Sequence, residues 1–189
     1  MSQTSEPVTR ADVTVTFLRL DGRLASPPRA LPAGAFVDRL NPCSVADYRR
    51  LYNGVGGPHL WWLRRLMPDN ELQALLDRPD VSIHVLSYDQ AEAGFYELDA
   101  ATWPIVNLSY FGLLPSAVGH GLGSAFLRHA IDEAFALGAR SITVNTCTAD
   151  HPRALPTYRR AGFRVTRQVK ERWDVPDRLG LQIPNHLRG

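Results

Sequence analysis

The spacing of apolar residues divides the chain into strand-forming and helix-forming segments. Residues 13–20 alternate apolar and polar side chains, which predicts a strand with one buried face. Residues 122–137 place apolar side chains at helical intervals, and Gly138 then supplies the usual helix stop. The same criteria predict a hairpin at 81–88 and 93–98, further strands at 105–114, 141–147 and 163–170, and further helices at 44–53, 59–67, 69–77 and 150–161, the last of these capped by Asp150 or His151.

The order of these elements indicates the fold class. After residue 105, strands alternate with helices, which implies some parallel pairing in that half of the chain. Residues 21–42 hold many Gly and Pro residues and predict a long loop with a short extended piece at 35–40. A chain of 189 residues is expected to form one α/β (α+β) domain, with its core at about 81–170 and terminal tails at 1–12 and 171–189.

Composition narrows the classes of partner. The net charge is only +2 and the arginine doublets are scattered, so nucleic acid is not expected as the main partner. Cys43 and Cys147 form neither a disulfide framework nor a metal-ligand pattern, and no metal is expected. No apolar run has the length of a membrane span, and residues 1–12 are unlike a signal peptide. These features predict a cytoplasmic protein without a membrane partner.

Residues 110–127, YFGLLPSAVGHGLGSAFL, carry the most informative chemistry in the chain. They predict a strand end, a turn in which Gly119, Gly121 and Gly123 alternate with other residues, and the start of a helix. Glycine lets backbone amides approach a ligand closely, and the first amides of a helix lack intrahelical partners. The helix dipole adds partial positive charge at the same point. The turn therefore fits either a phosphate site or a flexible connector.

Spacing separates the classes of phosphate-binding loop. A nucleoside-triphosphate loop needs Gly-Lys-Ser/Thr, and this turn has no lysine. A dinucleotide-binding turn needs a third glycine where Ser124 stands, and an acidic residue about 20 positions later, where the segment around Thr143 is neutral. The remaining pattern is Gly-x-Gly on the first turn of a helix that follows a strand and a proline.

This pattern and a second one downstream resemble the GNAT superfamily of acyl-CoA-dependent N-acetyltransferases. Gly121 and Gly123 match the glycines of the family's Gln/Arg-x-x-Gly-x-Gly/Ala motif, whereas Val118 stands at the Gln or Arg position. Residues 150–163, DHPRALPTYRRAGF, resemble Asn-x-x-Ala-x-x-x-Tyr-x-x-x-Gly-Phe, with matches at Ala154, Tyr158, Gly162 and Phe163. The two motifs occur in the family's order and are separated by a predicted helix and strand.

The resemblance implies a mixed, mostly antiparallel sheet with helices on both faces. Its splayed central strands would be 105–114 and 141–147, and acetyl-CoA would bind as cosubstrate in the opening between them. Leu113 matches the position whose backbone bonds the pantetheine arm, and its amide is the expected donor to the thioester oxygen. The pyrophosphate would be received by the turn that comprises Val118, Gly119, His120, Gly121, Leu122, Gly123 and Ser124.

The resemblance also implies direct transfer of an acetyl group to a primary amine of a small molecule or peptide. Tyr158 matches the family tyrosine that protonates the leaving thiolate, and the alternative is an aromatic side chain that anchors its helix. Asn107 stands where many relatives are acidic and cannot act as a base. Glu97 and Asp99 are the nearest alternatives, and Glu97 is the candidate base, with an exposed strand-end charge as its alternative.

Three functions stay open at this level. The leading one is an N-acetyltransferase, with the acceptor chosen by residues 21–80, where Trp61 and Trp62 occupy the region that roofs the family's acceptor site. The departures at Val118 and Asn107 motivate a CoA-binding or interaction module without catalysis. A nicotinamide-dependent oxidoreductase is disfavoured by the glycine spacing. A homodimer is compatible with the resemblance.

Overall fold

The computed structural model describes residues 6–27 and 29–189 and contains one seven-stranded sheet. The strands lie in the order β2-β3-β4-β5-β6-β1-β7, and every neighbouring pair is antiparallel except β5 and β6. The sheet is therefore mixed and mostly antiparallel, as the sequence predicts. The strands are β1 (Val8–Asp21), β2 (Ala35–Arg39), β3 (Val81–Tyr88), β4 (Ala91–Thr102), β5 (Ile105–Leu113), β6 (Ser141–Cys147) and β7 (Arg164–Pro176).

Helices cover both faces of this sheet. Along β4, Tyr96 and Leu98 pack in the cluster that contains the long helix after the glycine turn, whereas Phe95 faces the first helix. This alternation follows from the two-residue period of a strand. The helices are α1 (Val45–Gly56), α2 (Leu63–Leu66), α3 (Asp69–Leu76), α4 (Leu122–Ala136) and α5 (Ala154–Arg160). None of the helices in the described part of the chain is long and apolar enough to cross a membrane.

The central strands splay apart as expected. β5 and β6 pair only from Ile105 to Leu108 on one strand and from Ser141 to Val144 on the other. Both strands continue beyond the last paired residues, β5 to Leu113 and β6 to Cys147. Because the facing edges no longer bond each other there, their backbone groups are left to line an opening.

The two predicted tails belong in part to the sheet. β1 begins at Val8, and it pairs with β7 from that residue to Arg19, opposite Pro176 to Arg164. β7 is an edge strand whose side chains are mostly exposed, so it is rich in charged residues. Because β7 is polar, the hydrophobic pattern does not reveal its last residues. The tails expected at 1–12 and 171–189 are therefore corrected, since β1 begins at Val8 and β7 ends at Pro176.

Local structure agrees with the predicted helix at 44–53 and the predicted hairpin, and differs at α5. Ser44 caps α1, because its hydroxyl accepts a hydrogen bond from the Asp47 amide at 3.1 Å. The hairpin between β3 and β4 turns at Asp89 and Gln90, which adopt positive φ angles of 48° and 65°. α5 begins later than predicted, at Ala154, and no side chain caps it.

Candidate functional site

A cavity of about 680 Å³ fills the opening between β5 and β6. We call it the central cavity. Its walls come from the end of α1 with the segment that follows, from β5, from the glycine turn, from α5 with the loop before it, and from β7. The motifs that lie far apart in the sequence therefore face one space.

The glycine turn presents unpaired backbone amides to the central cavity. Gly119 and Gly121 adopt φ angles of 98° and 74°, which favour glycine, and no other residue lies near the place of a Cβ atom at either position. α4 starts at Leu122 without a side-chain cap. Among the described residues, no acceptor takes the amides from Gly119 to Ser124. This row of donors suits an anion, and the helix dipole adds to its positive potential.

The other residues expected at the turn divide between the lining and the surface. Val118, Leu122, Gly123 and Ser124 line the central cavity, and Val118 is 43% exposed. The ring of His120 lies outside the lining and packs beside Tyr88, with the ring centres 5.7 Å apart.

The amide of Leu113 points into the opening. The next amide, that of Leu114, donates to the Ala93 carbonyl of the neighbouring strand at 2.8 Å. Since successive amides of a strand point in opposite directions, the Leu113 amide faces away from β4 and towards β6. It is therefore a free donor at the last residue of β5, beside the glycine turn.

Tyr158 lies on α5 and lines the central cavity with only 6% of its surface exposed. Its ring packs against Phe111 and Phe163, with ring centres 6.3 and 5.8 Å away. Burial raises the pKa of its hydroxyl far above the ordinary value, and the nearby Asp150 carboxylate adds to the effect. The hydroxyl therefore stays protonated at neutral pH and is able to donate a hydrogen bond. Packing and proton donation are compatible roles for this residue.

The loop before α5 is organised by Asp150. Its carboxylate accepts hydrogen bonds from the Thr146 hydroxyl at 2.7 Å, the Cys147 amide at 2.8 Å and the Trp61 indole at 3.2 Å. Next to it, Nδ1 of His151 accepts from the amide of Arg153, the residue before α5, at 3.1 Å. Asp150 thus ties Trp61 to the β6–α5 loop.

Aromatic side chains form one wall of the central cavity, here called the aromatic wall. Tyr52, Trp61 and Tyr110 pack together with ring centres 4.9 to 5.4 Å apart. A Cβ atom on Gly112 would lie 2.3 Å from Cγ1 of Val55, so only glycine lets α1 approach β5 this closely. Trp62 continues the wall, and its ring centre lies 6.5 Å from that of Trp173 on β7. Both tryptophans of the Trp61–Trp62 pair line the cavity.

His59 and His151 lie side by side in the lining, with ring centres 6.0 Å apart. Burial lowers the pKa of His59, the Asp150 carboxylate opposes this shift, and His151 adds to it. The imidazole of His59 is therefore mainly neutral at neutral pH and is able to accept a proton.

The comparisons with known proteins identify the family. The model of the Acetyltransferase (GNAT) family matches residues 47–163, which is more than half of the chain. The chain belongs to this GNAT acetyltransferase family. A search of curated proteins finds no match to it.

Solved structures of GNAT proteins share its fold. A GCN5-related N-acetyltransferase from Sphaerobacter thermophilus is 17% identical with a TM-score of 0.63, over 92% of this chain and 54% of that one. One from Kribbella flavida is 19% identical with a TM-score of 0.58, over 89% and 60%. A tandem GNAT protein from the clavulanic acid biosynthesis pathway is 17% identical with a TM-score of 0.60, over 88% and 55%. The chain thus spans between half and two thirds of the length of these three structures.

Glu97 occupies a different place in this GNAT domain from the one that the sequence suggested. It lies in the middle of β4, it has no exposed surface, and it is not part of the cavity lining. Its carboxylate accepts from the Tyr48 hydroxyl at 2.5 Å and from the Arg64 guanidinium at 2.9 Å. Asp99 pairs with Arg78 at 3.1 Å. Both carboxylates are engaged by neighbouring side chains.

The contacts of Asn107 and the burial of Cys147 indicate structural roles for both residues. Asn107 donates to the Ser109 hydroxyl and accepts from the Thr143 hydroxyl, each at 3.0 Å, and so joins β5 to β6 where they still pair. Burial raises the pKa of the Cys147 thiol to about 12, with a further contribution from Asp150. The thiol is therefore protonated, which disfavours a route through an acyl-cysteine. No group of three metal-ligating side chains occurs within residues 6–27 and 29–189.

Sequence reasoning missed several residues of the lining. Glu171 and Trp173 fall in the expected tail, yet both face the central cavity. Arg153, directly before α5, and Arg160, at its end, also line the cavity, and nothing in the sequence distinguishes them from the other scattered arginines. His59 follows the Gly-rich end of α1, where nothing in the pattern marks it. The two-residue spacing of Glu171 and Trp173 on a strand was the one available signal for that pair.

Proposed function

We propose that the protein transfers an acetyl group from acetyl-CoA to the primary amine of an acceptor. One observation carries the proposal: the free amides of the glycine turn, the Leu113 amide and the Tyr158 side chain all face the central cavity. A pyrophosphate acceptor, a donor for a carbonyl oxygen and a proton donor are the three groups that a thioester substrate requires.

Each part of acetyl-CoA is assigned to a separate group of residues in the cavity. The amides from Gly119 to Ser124 receive the pyrophosphate, and Arg153 and Arg160 of the same cavity add positive charge for phosphate groups. The Leu113 amide donates to the thioester carbonyl, where negative charge develops during attack. Acetyl-CoA itself supplies the activated acetyl group.

The proton movements follow from the side chains that remain. The amine nitrogen bonds to the carbonyl carbon, the carbon–sulfur bond breaks, and the departing thiolate takes a proton from Tyr158. The proton that the amine loses goes to His59. We assign the base to His59 rather than Glu97, because His59 is neutral and lines the cavity, whereas Glu97 is buried beneath it between Arg64 and Tyr48.

The experiment measures binding and turnover separately. Calorimetric titration with acetyl-CoA, CoA and NAD tests cosubstrate choice, and thiol release from acetyl-CoA over a panel of amines tests catalysis. We expect binding of the two CoA compounds, no binding of NAD, and amine-dependent thiol release. Binding without thiol release for any amine would instead support the non-catalytic module, and preference for NAD would contradict both.

A pair of glycine variants provides the control. Gly121 and Gly180 both have positive φ angles, of 74° and 63°, and neither has other atoms near the position of a Cβ. Gly121→Ala and Gly180→Ala therefore impose comparable backbone strain, but only the first places a methyl group among the turn amides. Only Gly121→Ala is expected to weaken acetyl-CoA binding.

A further inference from the structure

The central cavity is uneven in charge. Of its two arginines, Arg153 directly precedes α5 and Arg160 ends it, and both are on the side assigned to phosphate. Its two carboxylates, Asp150 and Glu171, come from the β6–α5 loop and from β7. Neither carboxylate forms a salt bridge with any described residue. Two carboxylates therefore line the cavity, and neither is paired with a cationic side chain of the described residues.

Each of these carboxylates is held by an indole. The Nε1 of Trp61 donates to Asp150 at 3.2 Å, and the Nε1 of Trp173 donates to Glu171 at 2.8 Å. These neutral donors fix the carboxylates without neutralising them. They also fix the two indole rings, so that a flat aromatic surface stands beside each negative charge.

The aromatic wall continues between the two pairs. Trp62 lies next to Trp173, and Tyr52 and Tyr110 pack around Trp61. Aromatic faces attract cations and stack on flat apolar groups, and tryptophan is the strongest of them. Together with the carboxylates, this wall favours a positively charged molecule with a flat body.

The same wall offers nothing to a negatively charged group. Arg64 stands 5.4 Å from the centre of the Tyr110 ring, but it is already neutralised by Glu97 and is not part of the lining. A carboxylate on the acceptor would thus meet Asp150 and Glu171 without a compensating cation on that wall. Like charges brought together in a partly desolvated site repel.

We propose that the acceptor is an amine carried on a flat aromatic body and lacking a carboxylate, with its positive charge attracted by Asp150 and Glu171. This inference names the substrate class of the acetyl transfer proposed above and rests on that proposal. Free aromatic amino acids are then poor acceptors, although they carry the same ring and the same amine.

The test compares four amine probes that differ in the ring and in the carboxylate. Phenethylamine has the proposed features, phenylalanine adds a carboxylate, phenylalanine methyl ester masks that carboxylate, and 3-methylbutylamine replaces the ring by a branched alkyl group. The kcat/KM for phenethylamine is expected to exceed that for phenylalanine by about tenfold or more, since one unfavourable charge contact has that order of effect. The ester should recover most of the loss, and 3-methylbutylamine should be the weaker of the two simple amines.

Variants on β7 locate the effect. Glu171→Gln keeps an oxygen that accepts from Trp173 and so preserves the wall, but it removes one negative charge. It is expected to reduce the preference for phenethylamine over phenylalanine several-fold. Asp174→Asn is the control, because Asp174 lies on the same strand, is exposed and pairs with Arg10. It should leave the preference unchanged.

Binding without turnover separates this inference from the proposed function. Calorimetric titration of phenethylamine and phenylalanine into the protein without acetyl-CoA measures recognition alone. Preferential binding of phenethylamine supports the inference even where no acetyl transfer occurs, in which case the proposed function fails by itself. Equal binding of the two probes, or an unchanged preference in Glu171→Gln, would overturn the charge argument, and equal use of 3-methylbutylamine would overturn the aromatic one.

Discussion

The guanidinium of Arg64 lies 2.9 Å from Oε1 of Glu97, and the carboxylate that it neutralises has no exposed surface. Burial alone would lower the pKa of Arg64, but the Glu97 charge, followed by Tyr48, raises it above its ordinary value. Tyr48 also bonds the carboxylate at 2.5 Å. This buried pair connects the segment after α1 to the centre of the sheet, directly beneath the aromatic wall.

Removing the Glu97 charge should destabilise the fold. Glu97→Gln leaves Arg64 partly buried without its counter-charge, and the expected loss in the free energy of unfolding is about 3 kcal/mol. Urea denaturation measures it. Asp12→Asn, at an exposed pair with Arg172, is the control and should have little effect. A Glu97→Gln protein as stable as the parent would show that the pair is not important for stability.

Tyr158→Phe tests proton donation to the leaving group. The variant keeps the packing against Phe111 and Phe163 but loses the hydroxyl, so kcat is expected to fall by about a hundredfold. The Kd for acetyl-CoA, measured by calorimetry, should change little. Tyr88→Phe, in a tyrosine outside the cavity lining, serves as control. Unchanged turnover in Tyr158→Phe would remove Tyr158 from the mechanism.

His59 should determine the acidic limb of the pH–rate profile. Because burial lowers its pKa, it is neutral above a midpoint below the ordinary 6.5, and kcat/KM should fall as the pH drops through that midpoint. His59→Gln is expected to lose this limb together with most of the rate, whereas the exposed His186→Gln retains both. If Glu97→Gln loses the limb and His59→Gln keeps it, the base is Glu97.

A polar side chain at the entrance of the glycine turn should strengthen CoA binding. Val118 is 43% exposed beside the free amides, and Val118→Gln adds a donor for a phosphate oxygen. One added bond to a charged group is expected to lower the Kd for CoA by up to about tenfold. Val165→Gln, at an exposed valine of β7, is the matched control. An unchanged Kd would place Val118 outside the reach of the phosphates.

The stability of the protein should depend on His84 in mild acid. Burial lowers its pKa to about 4, and His129 and Arg39 add to the shift. The unfolded chain takes up a proton near pH 6.5 and the folded protein does not, so the free energy of unfolding should decrease as the pH falls from 6.5 to about 4.

The decrease is expected to be at most about 1.4 kcal/mol per pH unit in that range. His84→Phe can keep the stack on Tyr96, whose ring centre is 4.6 Å away, and should flatten the dependence. Urea denaturation at pH 7 and pH 5 measures both proteins. An equal slope in the two would mean that other groups take up the protons.

The sequence predicts most of the scaffold, and it singles out the glycine turn and Tyr158, which line the central cavity. The glycine turn, α4 and Tyr158 lie within one continuous stretch of about 40 residues, where local period and motif spacing carry the information. The sheet order could not be obtained in this way. β1 inserts between β6 and β7, and that pairing joins residues at opposite ends of the chain.

The aromatic wall of the central cavity could not be predicted for a related reason. Trp61, Asp150 and Trp173 meet only after α1, the β6–α5 loop and β7 have been brought together. Glu97 presents a different difficulty. A carboxylate in a strand with mixed polarity is more often solvated than buried, and only its contacts with Arg64 and Tyr48 reveal its surroundings.

The position of β1 has a consequence for how the molecule is assembled. During synthesis Val8 cannot pair until Pro176, its partner on β7, has been made, so the pairing of β1 with β7 is completed late. Contacts of such long sequence separation close late and slow the search for the native state. Glu171 and Trp173 lie in this pair of strands, so the nascent chain can form the glycine turn and α4 before it completes the β7 wall of the central cavity.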